Sequence, residues 1–249
     1  MRVGITGQAG FIGTHLADYV MQHADTELIP FGDGYFADAQ KLRRFVKSCD
    51  VIIHLAAASR MPSEDELYNL NVGLVQQVID AMESEKVTPL VMFSSSTHET
   101  RDTAYGRAKL EGRKRFEDWA RRNGASFVGF VFPNIYGPGA RVHYASFIAN
   151  FAWELQHGEE PKVLVDASIR LKYVGNLCAF IGERFAFRGV ERVEVPWDFE
   201  LKVTDILAIF RMFKEMPSDG MSQLLMEDNN LKHLYATFKS YSRGADEGH

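Results

Sequence analysis

Short apolar segments alternate along this chain with longer amphipathic ones, a pattern that is typical of parallel strands connected by helices. The predicted strands are Arg2–Thr6, Glu27–Phe31, Val51–Leu55, Leu90–Phe93, Ser126–Phe132, Lys162–Val165 and Arg192–Val195. Helices are predicted after Gly13 to about His23, over Ser63–Glu85 and Ala104–Asn123, up to about His157, and over Val203–Met216 and Leu231–Ser240. The alternation predicts an α/β protein with a doubly wound parallel sheet.

A glycine pattern follows the first predicted strand and precedes the first helix. The first glycine permits a tight turn, the second lets the backbone approach a pyrophosphate, and the third lets the helix pack closely against the strand. The free N–H groups at the helix start then favour an anion. This predicts a dinucleotide-binding loop of the Rossmann type, although three glycines can also form a turn without a ligand. The candidate cofactor residues here are Gly7, Gln8, Gly10 and Gly13.

Asp33 follows the second predicted strand. A carboxylate at this place accepts hydrogen bonds from the adenosine ribose and repels a 2′-phosphate, so it favours NAD over NADP. A plain turn is the alternative reading, and Arg43 and Arg44 keep NADP open as the cofactor. Too few residues separate Phe31 from Val51 for a full strand and its connections, so the usual third strand is predicted to be short or missing.

The strand Val51–Leu55 ends in small residues, where a flat cofactor can lie against the backbone; close packing alone would explain them equally well. Ala56 and Ala57 are therefore candidate cofactor residues. His54 is expected to be a core histidine. Arg60 is a candidate ligand for a substrate phosphate, with a solvated loop arginine as the alternative. Asn71 is a candidate for orienting the active site and binding the cofactor, with an ordinary polar helix residue as the alternative.

A serine-rich strand end and a helix start carry the candidate chemistry. Ser94, Ser95 and Ser96 close the strand after Phe93, and Tyr105 and Lys109 lie four residues apart on one face of the next helix. A phenol near an ammonium can exchange a proton with a substrate oxygen while a nicotinamide cofactor exchanges hydride. Ser96 is best placed to bind that oxygen, and Ser94 and Ser95 are expected to face the cofactor or the sheet. A second match to the same spacing, Tyr235 to Lys239, has no serine-bearing strand before it and is interpreted as accidental.

Composition narrows the classes of function. The chain has 249 residues, a net charge of −5 and no basic block, which argues against a dedicated nucleic-acid binder. No apolar run is long enough to cross a membrane, no signal peptide is evident, and no Cys/His spacing suggests a metal site. Two free thiols in the cytoplasm are expected for Cys49 and Cys178.

Together these motifs resemble the extended short-chain dehydrogenase/reductase family of nucleotide-sugar epimerases, dehydratases and reductases. The residues that carry the resemblance are Thr6 to Gly13, His54 to Ala57, Asn71, Phe93 to Ser96, Tyr105 to Lys109 and Pro133 to Pro138. The resemblance implies that Ser96, Tyr105 and Lys109 are catalytic. It places Asn134 beside the substrate diphosphate. Beyond the cofactor residues already named, it also implies contacts with the cofactor from Phe11, Ile12, Leu55, Tyr105, Lys109 and Pro133. An arginine common in the family is Val131 here; Arg141 is a further candidate for the diphosphate.

A closer likeness, covering nearly the whole chain, is to the reductase half of a bifunctional capsule enzyme of UDP-N-acetyl-L-fucosamine synthesis. It rests on the short segment between Ser96 and Tyr105, on Arg60, on the run Arg141 to Phe151 and on Leu234 to Tyr241. The likeness implies reduction of a 4-keto sugar, without the cupin domain that epimerises the sugar in that family. It also implies NADPH, against which Asp33 argues.

We therefore predict an NAD(P)-dependent oxidoreductase that acts on a nucleotide-linked sugar in polysaccharide biosynthesis. The alternatives are a 4-epimerase with tightly bound NAD and a non-catalytic NAD(P)-binding regulatory protein. The expected organisation is a Rossmann domain over residues 1–140, an interleaved small substrate lobe over 141–241 and a flexible tail over 242–249, assembled as a homodimer.

Overall fold

The structure is a computed structural model that describes residues 1–144, 146–216 and 228–242. Its strands are β1 (Arg2–Thr6), β2 (Glu27–Ile29), β3 (Val51–His54), β4 (Leu90–Ser96), β5 (Phe127–Phe132), β6 (Asn134–Tyr136), β7 (Ser168–Tyr173), β8 (Val190–Glu194) and β9 (Phe199–Lys202). Its helices are α1 (Phe11–Gln22), α2 (Ala39–Ser48), α3 (Glu64–Glu85), α4 (Ala104–Asn123), α5 (Phe147–Gln156), α6 (Val174–Gly182), α7 (Val203–Glu215) and α8 (Asn229–Lys239). The chain divides into two units: Met1–Phe132 with Cys178–Val195, and Pro133–Leu177 with Pro196–His249.

The first unit contains a six-stranded sheet in the order β2-β1-β3-β4-β5-β8. Every neighbouring pair is parallel. From β1 the chain moves outward to β2 and then back to β3 on the other side of β1. In open α/β sheets a ligand binds at such a reversal, outside the carboxyl ends of the strands. The order therefore predicts a ligand site at the carboxyl ends of β1 and β3, and it confirms the predicted Rossmann-type fold.

The short second strand lies at the edge of this sheet. Between β2 and β3, the described residues form a 3₁₀ turn, Asp33–Ala37, and α2, with no strand between them. Asp38 starts α2 by accepting hydrogen bonds from the N–H groups of Gln40 and Lys41, both at 3.1 Å. The missing third strand is thus as predicted, whereas α2 was not predicted from the sequence.

The core of the first unit lies between the sheet and its helices. All residues of β3 and β5 are buried. From α4, Phe116 and Trp119 are almost fully buried against this core. Thr103 caps the start of α4 by accepting from Gly106 N–H, and Gly124 ends it with a φ of +62°. These signals fix the length of the helix that carries Tyr105 and Lys109.

The second unit has a three-stranded sheet in which β6 pairs parallel to β7 and β7 antiparallel to β9. Asp198 organises one end of it, accepting from the Lys172 ammonium and the Tyr173 N–H at 2.8 Å and from the Asn176 amide at 3.0 Å. The predicted strand Lys162–Val165 was wrong, because Leu164 is 92% exposed and the strand forms later, as β7. A short apolar run cannot by itself distinguish a strand from an exposed loop.

Two further sequence predictions concern the chain as a whole. Within the described residues, no helix combines the length and apolar character needed to cross a membrane. The predicted tail over 242–249 falls outside the described residues from 243 onward. The proposed domain boundary at residue 140 stays a prediction.

Candidate functional site

The glycine loop between β1 and α1 leaves room for a ligand close to the backbone. Gly7 has a φ of +71°, and a Cβ placed there would lie 2.9 Å from the Ala56 nitrogen. A Cβ on Gly13 would overlap the carbonyl oxygen of Gly7. Gly10 is the N-cap of α1 and has no side chain to cover the first-turn N–H groups. The residues present therefore fit the pyrophosphate of a dinucleotide, held by the N-terminus of α1.

The neighbouring loop after β2 is tied to this cradle. The Gln8 side-chain carbonyl accepts a hydrogen bond from the Phe31 N–H at 3.1 Å. Asp33 then begins the 3₁₀ turn and is exposed. The predicted ribose-binding carboxylate thus lies in the loop that Gln8 connects to the glycines.

Thr6 and His54 connect the ends of β1 and β3. The Thr6 hydroxyl lies 2.9 Å from His54 Nδ1 and accepts from the Ala56 N–H at 3.3 Å. His54 is 1% exposed, and burial lowers the pKa of its imidazole to about 3, so it is neutral at physiological pH. His54 is therefore the core histidine that was expected.

Asn71 fixes the loop that follows β3. Its side-chain oxygen accepts from the Ala58 N–H at 2.8 Å, and its side-chain nitrogen donates to the Ala58 carbonyl at 2.9 Å. Asn71 is 5% exposed, so both halves of its amide are satisfied inside the protein. The residue supports Ala56 and Ala57 through the backbone of Ala58. Arg60 follows two residues later in the same loop.

Lys109 joins α4 to the end of β4. Its ammonium donates to the Ser94 carbonyl at 2.7 Å and to the Ser94 hydroxyl at 3.3 Å. The same hydroxyl donates to the His54 carbonyl at 3.1 Å. Lys109 is 4% exposed, and burial lowers the pKa of its ammonium from 10.5 to about 7. A continuous series of hydrogen bonds therefore runs from Thr6 through His54 and Ser94 to Lys109.

Tyr105 and Ser96 stand at the two ends of a short, tightly packed connection. The Lys109 nitrogen lies 5.6 Å from the centre of the Tyr105 ring, and the His98 ring is edge-on to it at 6.1 Å. The Ser96 hydroxyl accepts from the His98 N–H at 3.2 Å. Gly106 is required next to Tyr105, because a Cβ there would overlap the His98 carbonyl. The structure thus brings Tyr105 and Lys109 together and holds Ser96 at the start of the same connection.

Sequence reasoning missed two charged residues behind these side chains. Glu99, in the connection, accepts from the Ser95 hydroxyl at 2.5 Å and from the Arg113 guanidinium at 3.0 and 3.2 Å. Arg113 continues the four-residue spacing of Tyr105 and Lys109 along α4, which is the signal that could have revealed it.

The remaining predicted residues lie in the second unit. Pro133 precedes β6, and the Asn134 side chain is exposed and donates to the Arg170 carbonyl at 3.4 Å. Arg141 is exposed, with its guanidinium 5.3 Å from the centre of the Tyr144 ring. Across residues 1–144, 146–216 and 228–242, no group of three or more His, Cys, Asp and Glu side chains is arranged for a metal ion.

With this geometry in view, comparison with known proteins identifies the family. A model described as the NAD dependent epimerase/dehydratase family matches residues 3–174. The chain belongs to this family. The match spans the glycine loop, the three serines and the Tyr105–Lys109 pair, and it confirms the family predicted from the sequence. The description of the family also supports a nicotinamide dinucleotide as the cofactor.

Individual relatives are more distant. A Pseudomonas aeruginosa protein named UDP-2-acetamido-2,6-beta-L-arabino-hexul-4-ose reductase is 26% identical over 151 residues, which is 61% of this chain and 40% of that protein. Among solved structures, the capsular polysaccharide assembling protein CapF from Staphylococcus aureus has a TM-score of 0.81 and 24% identity, covering 100% of this chain and 67% of that chain. RMD from Pseudomonas aeruginosa, solved with NADPH, has a TM-score of 0.82 and 16% identity, covering 96% and 98%. At these identities the structures show a shared fold.

Proposed function

We propose that this protein reduces the 4-keto group of a nucleotide-linked sugar, using NAD(P)H. The observation that carries the proposal is the hydrogen-bonded series from Thr6 through His54 and Ser94 to Lys109. It joins the carboxyl ends of three adjacent strands to the helix that bears Tyr105, and so supports a reaction site beside the glycine loop. The curated Pseudomonas relative, named for reduction of a UDP-linked 4-keto sugar, supports the choice of substrate class.

Each residue has a defined part in this chemistry. Bound NAD(P)H would supply the hydride that reduces the carbonyl carbon. Tyr105 gives its phenolic proton to the carbonyl oxygen as that oxygen gains charge, and the phenolate recovers a proton from solvent. Ser96 donates a hydrogen bond to the same oxygen. Lys109, in its protonated form, stabilises the transient phenolate. The balance is one keto group, one NAD(P)H and one proton consumed for one alcohol and one NAD(P)⁺.

The cofactor we propose is NAD(H). The exposed carboxylate of Asp33 would meet the ribose hydroxyls and repel a 2′-phosphate. NADP(H) is the competing cofactor, because Lys41 and Arg44 line a cavity of about 270 Å³ beside the end of β2. Running every assay with both reduced cofactors decides between them.

The test compares two tyrosines that share the same sequence spacing to a lysine. Tyr105→Phe should lower kcat at least 100-fold with the UDP-linked 4-keto sugar for which the Pseudomonas relative is named, because the proton donor is lost. Tyr235→Phe should leave kcat within about twofold, because Tyr235 packs against Phe213 in the second unit. The measurement is the rate of NAD(P)H oxidation followed by absorbance.

Two outcomes would contradict the proposal. Unchanged turnover in Tyr105→Phe would remove the tyrosine from the chemistry. Interconversion of C4 epimers with no net cofactor oxidation would indicate a 4-epimerase instead of a reductase.

The wider role follows as part of the same proposal. A reduced nucleotide sugar would serve polysaccharide biosynthesis in the cytoplasm, and the protein would act as a homodimer. Arg60, Asn134 and Arg141 are the residues we propose to contact the substrate. Size-exclusion chromatography with light scattering tests the dimer directly.

A further inference from the structure

The buried carboxylate of Glu99 joins four elements of the first unit. It accepts from Ser95 at the end of β4, from Arg113 on α4, and from Arg192 on β8 at 3.0 Å. Glu99 itself belongs to the 3₁₀ turn Thr97–Thr100, which lies between Ser96 and Tyr105. A single side chain is thus bonded to both flanking elements of the connection and to β8, the edge strand on the far side of β5.

Two members of this cluster, Glu99 and Arg113, are buried, so their charges must be matched, whereas the Arg192 side chain is 37% exposed. The side chains of Glu99 and Arg113 are 3% and 11% exposed. Burial alone would raise the pKa of the Glu99 carboxyl, but hydrogen bonds from the two arginines and Ser95 lower it below its usual value. Glu99 is therefore ionised at neutral pH. Without its charge, Arg113 would keep only Glu117 at 3.4 Å as an ion-pair partner, and Arg192 only Glu194 at 3.1 Å.

The packing around the cluster leaves little room for other arrangements. A Cβ on Gly129 of β5 would lie 2.8 Å from the Arg113 side chain. A Cβ on Gly106 would overlap the His98 carbonyl and lie 2.5 Å from that of Arg101. Arg113 thus packs against Gly129, and the connection packs against Gly106, at positions where a larger residue would not fit.

A stripe of three side chains on α4 connects the Glu99 cluster to the proposed catalytic residues. Tyr105, Lys109 and Arg113 follow one another at four-residue spacing, so they lie on one face of the helix. Lys109 is bonded to Ser94, and Arg113 is bonded through Glu99 to Ser95. Ser96 follows Ser95 directly on β4, and Tyr105 lies one turn before Lys109 on α4.

We infer that Glu99 is a positioning residue that sets the placement of Ser96 and Tyr105 relative to each other by fixing the connection between them. The inference rests on the proposed function. In this role Glu99 acts through Ser95 and Arg113 and touches neither substrate nor cofactor. Removing it should slow the chemical step while leaving the dinucleotide cradle, which is built on β1 and α1, intact.

The experiment measures kcat, KM for the sugar nucleotide and Kd for the reduced cofactor in Glu99→Gln and Ser95→Ala. Both variants should lower kcat at least tenfold and change the cofactor Kd less than threefold. Ser95→Thr retains the hydroxyl and should recover most of kcat. Ser95→Ala keeps every charge, so it provides the test if Glu99→Gln folds poorly.

A control separates positioning from general destabilisation. Met82 is fully buried near the C-terminal end of α3, so Met82→Ala should lower the thermal midpoint without lowering kcat. A folded Glu99→Gln variant with kcat within twofold of wild type would overturn the inference. So would a parallel loss of kcat and cofactor affinity, as expected of a purely structural role.

A readout independent of activity keeps this inference separate from the proposed function. With the reduced cofactor bound, amide hydrogen exchange over residues 97–106 should be at least tenfold faster in Glu99→Gln. The N–H groups of His98 and Gly106, bonded to Ser96 and Thr103, report directly on the connection. If the wild type reduces no sugar nucleotide, the proposed function fails; unchanged exchange in the variant would overturn the positioning role itself.

Discussion

The burial of Lys109 changes the charge of a side chain next to the proposed proton donor. Desolvation disfavours its ammonium, and the hydrogen bond to the Ser94 carbonyl only partly replaces water. With a pKa of about 7, the lysine is partly neutral near physiological pH, so its charge is available most fully at lower pH. The stabilisation of the Tyr105 phenolate by the Lys109 ammonium therefore depends on pH.

This pKa has a consequence for stability that can be measured. The folded protein releases the Lys109 proton near pH 7, whereas an unfolded chain holds it to about pH 10.5. Between these values the unfolded state binds more protons, so this residue makes the free energy of unfolding rise with pH. In Lys109→Met that contribution disappears. Urea unfolding from pH 6 to pH 10 should show the wild type gaining stability relative to the variant.

A matched lysine on the same helix gives the control. Lys114 is exposed on α4, so Lys114→Met should follow the pH dependence of the wild type. Equal slopes for wild type and Lys109→Met would show that Lys109 is not buried as described.

At the scale of elements, the sequence predicted best where a backbone constraint and a periodic pattern coincide. The glycine loop before α1 and the serine strand before α4 were both found, because glycine spacing and helix periodicity are local signals. The strand Lys162–Val165 was misplaced and α2 was missed, because short apolar runs and an amphipathic helix without a motif are ambiguous. Glu99 was missed for another reason: its partners on β4, α4 and β8 meet only in the folded sheet.

The contact between β1 and α1 yields a test of the cradle as an element. In Gly13→Ala the added methyl group would overlap the Gly7 carbonyl, so the loop or the helix must shift. We expect a lower thermal midpoint and at least tenfold weaker binding of the reduced cofactor, measured by fluorescence titration. In α3, a Cβ on Gly73 would meet no atom within 4 Å. Gly73→Ala should leave binding unchanged and stabilise the protein by about 0.5–1 kcal/mol; equal binding in both variants would contradict the cradle.

At the scale of the whole molecule, the first unit is built from two separate parts of the chain. Its last strand, β8, is supplied from Cys178–Val195 and pairs with β5 from Phe127↔Val190 to Val131↔Glu194. Every residue of β5 is buried, whereas β8 alternates partly buried valines with exposed charged residues such as Glu191 and Glu194. A charged edge strand disfavours pairing with strands of other molecules, so β8 shields the apolar strand β5 from such pairing.

Removing β8 should therefore expose the edge of β5 and cause the protein to self-associate. A chain that ends after Gly189 keeps α6 whole but leaves β5 with an unpaired, apolar edge, and we expect most of it in the insoluble fraction or in large assemblies by light scattering. A chain that ends after Val195 lacks the same later elements of the second unit but retains β8, so it should have the larger soluble fraction. If both chains were equally soluble and monodisperse, edge protection by β8 would not be what keeps the first unit from associating.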